Sequence, residues 1–270
     1  DGDTLSLGGR TLTFLFAPMV HWPEVMVTYD DLDKALFSAD AFGKFGANDE
    51  KHEWHFDDWL PEARRYYVGI VGKFGAQVQS LLKAAAKLDI QMICSTHGPI
   101  LTENIERVLA LYDTWSSYRP ETNGILIAYA SMYGNTKQAA LLLESKLKSL
   151  GLMEVIVTDL ARDDIYQAVA DAFRHDKLVL ATPTYNADVF PAMREFITHL
   201  TQRNFQNRTI ALMENGSWAP TANNVMRDML KECKNLTFAK QHVTIHSTPN
   251  NTAKEEICLL AEELASLSPA

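Results

Sequence analysis

The sequence lacks the features that mark several large classes of protein. No apolar run comes close to the about 20 residues that cross a membrane, and no basic and apolar leader follows Asp1. Basic side chains are in deficit, 25 against 34 acidic ones, which gives a formal net charge of −9. This balance argues against nucleic acid or an anionic membrane as the main partner. We therefore expect a cytoplasmic protein that binds neither.

Cysteine is also scarce. The three cysteines, Cys94, Cys233 and Cys258, are far apart and include no Cys-x-x-Cys pair, which argues against a disulfide framework and against an iron–sulfur site. The chain has 270 residues, 47% of them hydrophobic and 22% charged, which is enough for two globular domains. It does not begin with methionine, and this suggests a processed or truncated chain.

The second half of the sequence alternates strand-like and helical patterns. The apolar, strand-like runs cover 124–130, 154–158, 177–182, 208–213 and 241–246. The helical patterns cover 135–150, 164–174, 190–202, 221–234 and 252–266. Five strands that alternate with five helices predict an α/β fold with a doubly wound, five-stranded parallel sheet. Ligands of such sheets bind at the carboxyl ends of the strands.

The first half is less regular. It opens with a predicted hairpin, 4–7 and 11–16, and further strands are predicted at 25–29, 34–38 and 90–94. We expect a long loop over 43–60, two helices within 61–87 that are interrupted near Gly69 or Gly72, and a helix over 103–116. The predicted domains are 1–118 and 124–270, joined by a linker at 119–123 that contains Pro120.

A turn at the end of the first strand of the second domain predicts a phosphate site. Ser131, Asn135 and Thr136 offer side-chain donors, and Gly134 lets the backbone bend before a helix whose first N–H groups are unpaired. Neither Gly-x-x-x-x-Gly-Lys-Ser/Thr nor Gly-x-Gly-x-x-Gly is present, so a phosphate monoester is favoured over a nucleoside triphosphate or a dinucleotide. The simpler alternative is an ordinary structural turn.

Two later loops are expected at the same edge of the sheet, over 181–188 and 214–220. The turn at 131–136 resembles the FMN phosphate loop of flavodoxins, and the resemblance implies that the later loops bind the isoalloxazine ring. Tyr185 and Trp218 are the candidates for packing on that ring, although Trp218 alone could be a plain surface aromatic. The predicted FMN-binding residues are Ser131, Met132, Tyr133, Gly134, Asn135, Thr136, Pro183, Thr184, Tyr185, Asn186, Asn215, Gly216, Ser217 and Trp218.

Two histidines and one aspartate in the first half follow strand-like segments. Each of His21, Asp40 and His97, taken alone, is more simply explained as a satisfied polar residue. Together they form a ligand set suited to iron, manganese or zinc, and a carboxylate can bridge two metal ions. The residues alone leave the metal site and the structural explanation equally open.

The order of motifs resembles that of the flavodiiron proteins (A-type flavoproteins, of the rubredoxin:oxygen oxidoreductase and nitric oxide reductase type). The motifs are His-Trp-Pro-Glu, Ser-Ala-Asp-Ala-Phe-Gly and Thr-His-Gly-Pro, followed by a flavodoxin-like domain. The resemblance implies a partial metallo-β-lactamase-like αββα domain with two non-haem iron ions, and electron transfer from FMN to reduce O2 to water or NO to N2O. It also implies that His21 is a terminal ligand, that Asp40 bridges the irons and that His97 binds the second iron. A small redox donor such as rubredoxin and a head-to-tail homodimer are the implied partners.

The sequence departs from this family in one respect. The upstream His-x-Glu-x-Asp-His motif is absent, and the cluster of His52, His55 and Asp57 has a different spacing typical of a solvated loop. We therefore expect either a separate N-terminal fragment that completes the metal domain, which is the favoured hypothesis, or a chain in which only the flavin domain functions. The alternative functions are a flavodoxin-like electron carrier and, since αββα folds also support it, zinc-dependent hydrolysis.

Overall fold

The computed structural model describes residues 1–47 and 55–267. The chain divides into two compact units, Asp1–Arg119 and Pro120–Ala270. Within the described residues, no helix is both long and apolar enough to cross a membrane.

The first unit is built on a five-stranded sheet in the order β1-β2-β3-β4-β5. Its strands are β1 (Thr4–Ser6), β2 (Thr11–Phe16), β3 (Met26–Asp30), β4 (Ala35–Phe37) and β5 (Met92–Cys94). Neighbouring strands are antiparallel except β4 and β5, which are parallel. The predicted hairpin and the three further strands are therefore present.

The two faces of this sheet carry apolar side chains that differ in burial. Side chains alternate between faces along a strand, and directly paired residues share a face. The pairs Leu15–Val27 and Leu36–Ile93 lie on the inner face and are buried. On the outer face, Phe16 pairs with Met26, and 61% and 43% of their surfaces are exposed. The outer face also includes Leu5, Leu12, Phe14, Thr28, Phe37 and Cys94.

The helices of the first unit pack through aromatic side chains. They are α1 (Phe56–Tyr66), α2 (Gly75–Ala85) and α3 (Ile105–Ser116). A π-helical turn over Tyr67–Val71 and a 3₁₀ turn over Gly72–Phe74 separate α1 from α2, which confirms the predicted interruption. Trp59 of α1 stacks on Trp115 of α3 at 6.5 Å between ring centroids. Gly75 brings α2 against α3, because a Cβ there would lie 2.4 Å from the Ser116 carbonyl oxygen.

The predicted loop over 43–60 is wrong at its end. Helix α1 begins at Phe56, five residues earlier than expected, and Pro61 lies inside it. Asp57 and Asp58 favour the first turn through the helix dipole, and the buried positions Phe56, Trp59 and Ala63 follow helical spacing. The cluster predicted as a solvated loop is only partly described, since His52 lies outside the described residues. The His55 carbonyl accepts hydrogen bonds from the first turn of α1.

The second unit is a doubly wound sheet in the order β7-β6-β8-β10, with β11 and β12 both paired to β10 at one edge. The strands are β6 (Thr122–Tyr129), β7 (Val155–Asp159), β8 (His175–Tyr185), β9 (Asp188–Val189), β10 (Arg208–Asn215), β11 (Leu236–Phe238) and β12 (Val243–Ile245). All pairings are parallel except that of the short β9 with β8. The five predicted strands are present, and the fifth position is filled by two short strands in succession.

The helices of the second unit connect these strands and enclose an aliphatic core. They are α4 (Asn135–Ser149), α5 (Ile165–Arg174), α6 (Pro191–Gln202), α7 (Ala222–Met229) and α8 (Asn251–Ser266). Ile127 of β6, Leu143 of α4 and Leu260 of α8 are fully buried in this core. Helix α7 ends at Met229, five residues before the predicted end, because the exposed polar residues Lys231 and Glu232 leave no apolar face to bury.

Candidate functional site

Three loops of the second unit surround a cavity of about 460 Å³ at the carboxyl edge of the sheet. They follow β6, β8 and β10, as the strand order of a doubly wound sheet requires. Twelve of the fourteen predicted FMN-binding residues line the cavity. The lining includes Ser131, Met132, Tyr133, Asn135, Thr136, Pro183, Thr184, Asn186, Asn215, Gly216, Ser217 and Trp218.

The phosphate turn is held by its own hydrogen bonds. The Gly134 amide donates to Ser131 Oγ at 3.1 Å, and Gly134 has a φ of 87°, a conformation that glycine adopts without strain. Helix α4 begins at the next residue, so its first backbone N–H groups have no partner within the helix. Ser131 and Thr136 are buried. These groups, together with the positive end of the helix dipole, suit an anionic phosphate.

Buried polar side chains fix the loop after β10. Asn215 donates from Nδ2 to the Ser247 carbonyl at 2.9 Å and approaches the Thr136 hydroxyl at 3.5 Å. The neighbouring Glu214 carboxylate accepts from the Asn223 amide at 2.9 Å and from the Thr244 hydroxyl at 3.1 Å. The loop is thus tied to α4, α7 and the last strand, and the cavity is largely preformed.

The loop after β8 is positioned through Thr184. Its hydroxyl oxygen accepts from the Thr221 amide at 3.0 Å and from the Ala222 amide at 3.2 Å, and so occupies free donors at the start of α7. Gly216 is required for close approach, because a Cβ there would lie 2.8 Å from Pro220 Cα.

The aromatic candidates are placed differently from one another. Trp218 lines the cavity with 90% of its surface exposed, and Tyr133 does so with 88% exposed. Tyr185 is absent from the lining, and its ring packs edge-to-face on Phe190 at 5.8 Å. Gly134 also lies outside the lining and acts through the backbone of the turn. Two solvent-exposed rings at the mouth are available to cover a flat aromatic ligand.

Four lining residues were missed by sequence reasoning: Ala187, Ala219, Thr221 and Ser247. Ala187 and Ala219 lie within the predicted loops, and Thr221 directly follows the second of them. Ser247 belongs to a fourth loop, and its position just after the fifth strand is the signal that could have found it. The cavity volume, hydroxyl and amide donors, helix start and exposed rings fit FMN, which joins a phosphate to a flat aromatic ring system.

The first unit brings the three predicted metal ligands together. His21 Nε2 lies 3.1 Å from Asp40 Oδ2, and His97 Nε2 lies 3.4 Å from Asp40 Oδ1. Each carboxylate oxygen therefore faces a different imidazole. Imidazole nitrogens and carboxylate oxygens are donors that iron and zinc accept, so the three side chains would be placed to hold metal together.

The cluster is nonetheless only part of a ligand set. Across 1–47 and 55–267, no group of three or more histidine, cysteine, aspartate or glutamate side chains is arranged to hold a metal ion by itself. A di-iron centre needs further donors beyond His21, Asp40 and His97. The three residues fit iron as one side of a larger site.

The backbone around this cluster is strained. Met19, Ala39 and Phe42 have φ values of 66°, 50° and 66°, in the left-handed region that side chains with a Cβ rarely adopt. The Phe42 amide donates to the Tyr112 hydroxyl at 2.6 Å, and the Thr96 amide donates to the Ala39 carbonyl at 2.9 Å. Such strain persists only where surrounding bonds fix it, and it concentrates at functional sites.

An open cavity of about 590 Å³ adjoins the cluster. His21 and His97 line it together with Tyr66, whose ring lies 5.7 Å from the ring of His97. Burial raises the pKa of Tyr66, and the negative charge of Asp40 raises it further. The phenol therefore stays protonated beside the cluster and can donate a hydrogen bond into the cavity.

Two family models match the chain, one for each unit. The model of the ODP family beta lactamase matches residues 1–98, and that of a flavodoxin domain matches residues 126–244. The nitric oxide reductase of Moorella thermoacetica is 27% identical over 272 residues, which cover 98% of this chain and 67% of that protein. The coenzyme F420H2 oxidase of Methanothermobacter marburgensis is 30% identical over 215 residues, covering 77% of this chain and 52% of that protein.

A similar solved structure is that of the flavodiiron protein from Giardia intestinalis. It superposes with a TM-score of 0.88 at 25% identity, over 98% of this chain and 67% of that one. The chain thus spans about half to two thirds of the length of these relatives. The likeness extends over both units.

Proposed function

Because this chain belongs to the flavodiiron protein family, we propose that it is an FMN-dependent oxidoreductase that reduces O2 to water, NO to N2O, or both, at a di-iron centre. The observation that carries the proposal is the pair of sites in one chain: a phosphate-and-ring cavity at one sheet edge, and a carboxylate between two imidazoles in the other unit. When bound, FMN would supply electron transfer and iron would supply the centre at which the gas is reduced.

The residues of the flavin site divide the work of binding. Ser131, Asn135, Thr136 and the first amides of α4 would hold the phosphate by charge-assisted hydrogen bonds. The loop after β8 and Trp218 of the loop after β10 would orient the ring, with Trp218 over its face. Backbone amides near Asn186 and beside Gly216, whose own amide donates to the Ile245 carbonyl, would bond its polar edge.

The residues of the metal site act as donors and as their supports. His21 and His97 would hold iron through their Nε2 atoms, and Asp40 would hold it through its carboxylate. Thr96 donates from its hydroxyl to Asp40 Oδ1 and so orients the carboxylate. Tyr66 would donate a hydrogen bond toward the open side of the cluster.

A direct test measures FMN binding and gas consumption in the same material. The chain purified with any co-purifying polypeptide is titrated with FMN, and O2 and NO consumption are followed with a photochemically reduced donor. We expect saturation at one FMN per chain and gas consumption that depends on both FMN and iron. FMN binding without consumption in iron-loaded material would contradict the oxidoreductase and favour the electron carrier.

The partners proposed for the chain follow from the family. Electrons would come from rubredoxin or another small redox donor, and a head-to-tail homodimer would bring FMN of one subunit near the irons of the other. The three free cysteines support a reducing compartment such as the cytoplasm.

The electron-carrier alternative is favoured by one specific observation. The donors described in the first unit are too few to hold two metal ions. A chain in which only the flavin site functions would transfer single electrons between proteins and would not reduce O2 or NO. Iron content separates the two functions.

The outer face of the first sheet supports the proposal that another polypeptide segment completes the metal domain. Phe16, Met26 and Phe37 leave 61%, 43% and 48% of their surfaces exposed on the outer face, opposite the buried pairs Leu15–Val27 and Leu36–Ile93. A sheet that is apolar on both faces requires a layer on each. A second β-layer packed there, and carrying the remaining donors, would cover this surface and complete the site.

A further inference from the structure

The loop after the fifth strand, His246–Thr248, forms a fourth wall of the cavity. Ser247 lines the cavity beside residues of the three predicted loops. Its φ is 67°, in the left-handed region, so the loop adopts a conformation that its sequence does not favour. The loop is outside the phosphate-turn pattern, and it also lies beyond the flavodoxin match, which ends at residue 244.

Four hydrogen bonds join this loop to the one after β10. The Gly216 amide donates to the Ile245 carbonyl at 2.9 Å, and His246 Nδ1 lies 3.2 Å from the Gly216 carbonyl. Asn215 Nδ2 donates to the Ser247 carbonyl at 2.9 Å, and the Ser247 and Ser217 hydroxyls are 2.9 Å apart. The strained turn is therefore fixed from several directions, as expected of a binding loop.

The paired hydroxyls of Ser217 and Ser247 leave one hydroxyl hydrogen free to be donated. Each serine hydroxyl carries one hydrogen, and the bond between Ser217 and Ser247 uses one of the two. The other can be donated to an acceptor in the cavity that both residues line. Asn215 Nδ2 donates to the Ser247 carbonyl and approaches the Thr136 hydroxyl of the phosphate turn at 3.5 Å, so the Ser247 backbone lies beside the part of the cavity that the phosphate turn lines.

We infer that Ser247, paired with Ser217, binds the phosphate end of FMN and is a determinant of FMN over riboflavin. The inference rests on the proposed flavin site, and it adds a contact to the phosphate from a loop outside the three predicted ones. A hydroxyl hydrogen bond to an anionic phosphate is stronger than one to a neutral group, and its loss corresponds to about a tenfold weaker affinity. Riboflavin lacks the phosphate and should be nearly insensitive to the same change.

The test compares two ligands across three variants of the full chain. Ser247→Ala and Ser247→Gly remove the hydroxyl, and glycine adopts the left-handed backbone freely, so Ser247→Gly stays informative if the alanine variant fails to fold. Ser266→Ala is the control, because its hydroxyl bonds only within α8. Dissociation constants for FMN and riboflavin are measured by flavin fluorescence quenching, and the melting temperature of each apoprotein is measured by calorimetry.

We expect both Ser247 variants to weaken FMN about tenfold and riboflavin less than about twofold, with Ser266→Ala unchanged. Unchanged FMN affinity in Ser247→Gly would overturn the inference. Equal weakening of both ligands together with a lower melting temperature would also overturn it, because it would show a structural role only. Failure of the unaltered chain to bind FMN would instead contradict the proposed function itself.

Discussion

At the scale of single residues, the proposed FMN site contains a position that is too closely packed for any side chain. Gly216 is such a position, because a Cβ there would meet Pro220 Cα at 2.8 Å and would force the loop after β10 to move. We expect Gly216→Ala to weaken FMN binding by about tenfold or more, with a smaller loss of stability. Gly9→Ala is the matched control, since Gly9 has open space around its Cα. Equal FMN affinities of the two variants, measured by fluorescence titration, would refute this role.

Asp40 is the residue on which the metal cluster depends. Asp40→Asn removes the negative charge that lies beside both imidazoles, and it removes one of the two oxygen donors. We expect the affinity for iron to fall at least about 100-fold, while the affinity for FMN stays unchanged. Iron is measured by metal analysis after dialysis against a competing chelator, in material that contains the polypeptide that completes the metal domain. Asp228→Asn, at an exposed position on α7, is the control, and iron retention by Asp40→Asn equal to that of this control would count against the cluster.

Tyr129, at the end of β6, gives a prediction for alkaline pH. Burial raises its pKa from 10.0 to about 12, and the charge of Asp159 acts in the same direction. Its contribution to stability is therefore complete below pH 10 and is lost as the pH rises through 12. We expect the free energy of unfolding of Tyr129→Phe to fall less than that of the unaltered chain between about pH 9 and about pH 11. Parallel declines in urea titrations would exclude this effect.

At the scale of elements, hydrophobic periodicity predicted those strands and helices whose apolar residues are buried against their neighbours in the sequence. The parallel strands are continuous apolar runs flanked by helices with one apolar face, so the strands and helices of the second unit follow from the sequence. The start of α1 was missed because its first turn is aromatic and acidic and is buried only by packing on α3. The division of the fifth strand between β11 and β12 depends on pairing with β10, which the sequence does not display.

The outer face of the first sheet yields a prediction at this scale. Phe16→Ser on that face should change the free energy of unfolding of the chain by less than about 1 kcal/mol, while Val27→Ser on the buried face should cost about 2–4 kcal/mol. Phe16→Ser should also reduce the binding of a hydrophobic dye, which reports exposed apolar surface. Similar costs for the two substitutions would show that the outer face is already covered in the purified material, and so would contradict this prediction.

At the scale of the whole molecule, the sequence indicates which residues are candidates for each cluster, and the contacts among them come from the structure. His21, Asp40 and His97 are separated by many residues, and only the arrangement of the loops after β2, β4 and β5 shows that the carboxylate lies between the imidazoles. The displacement of Tyr185 from the cavity and the entry of Ser247 depend on how loops pack. The order of the motifs in the sequence indicates the family, and the tertiary contacts indicate which role each site residue could have.

The central claim is that one chain combines an FMN site with one side of a di-iron site. The measurement that tests it most directly is the FMN and iron content of the purified material, together with an intact-mass search for a second polypeptide. We predict one FMN per chain, and two irons wherever a second polypeptide that completes the metal domain is present. Material that binds no FMN after reconstitution would contradict the flavin half, and iron absent from the completed complex would contradict the metal half.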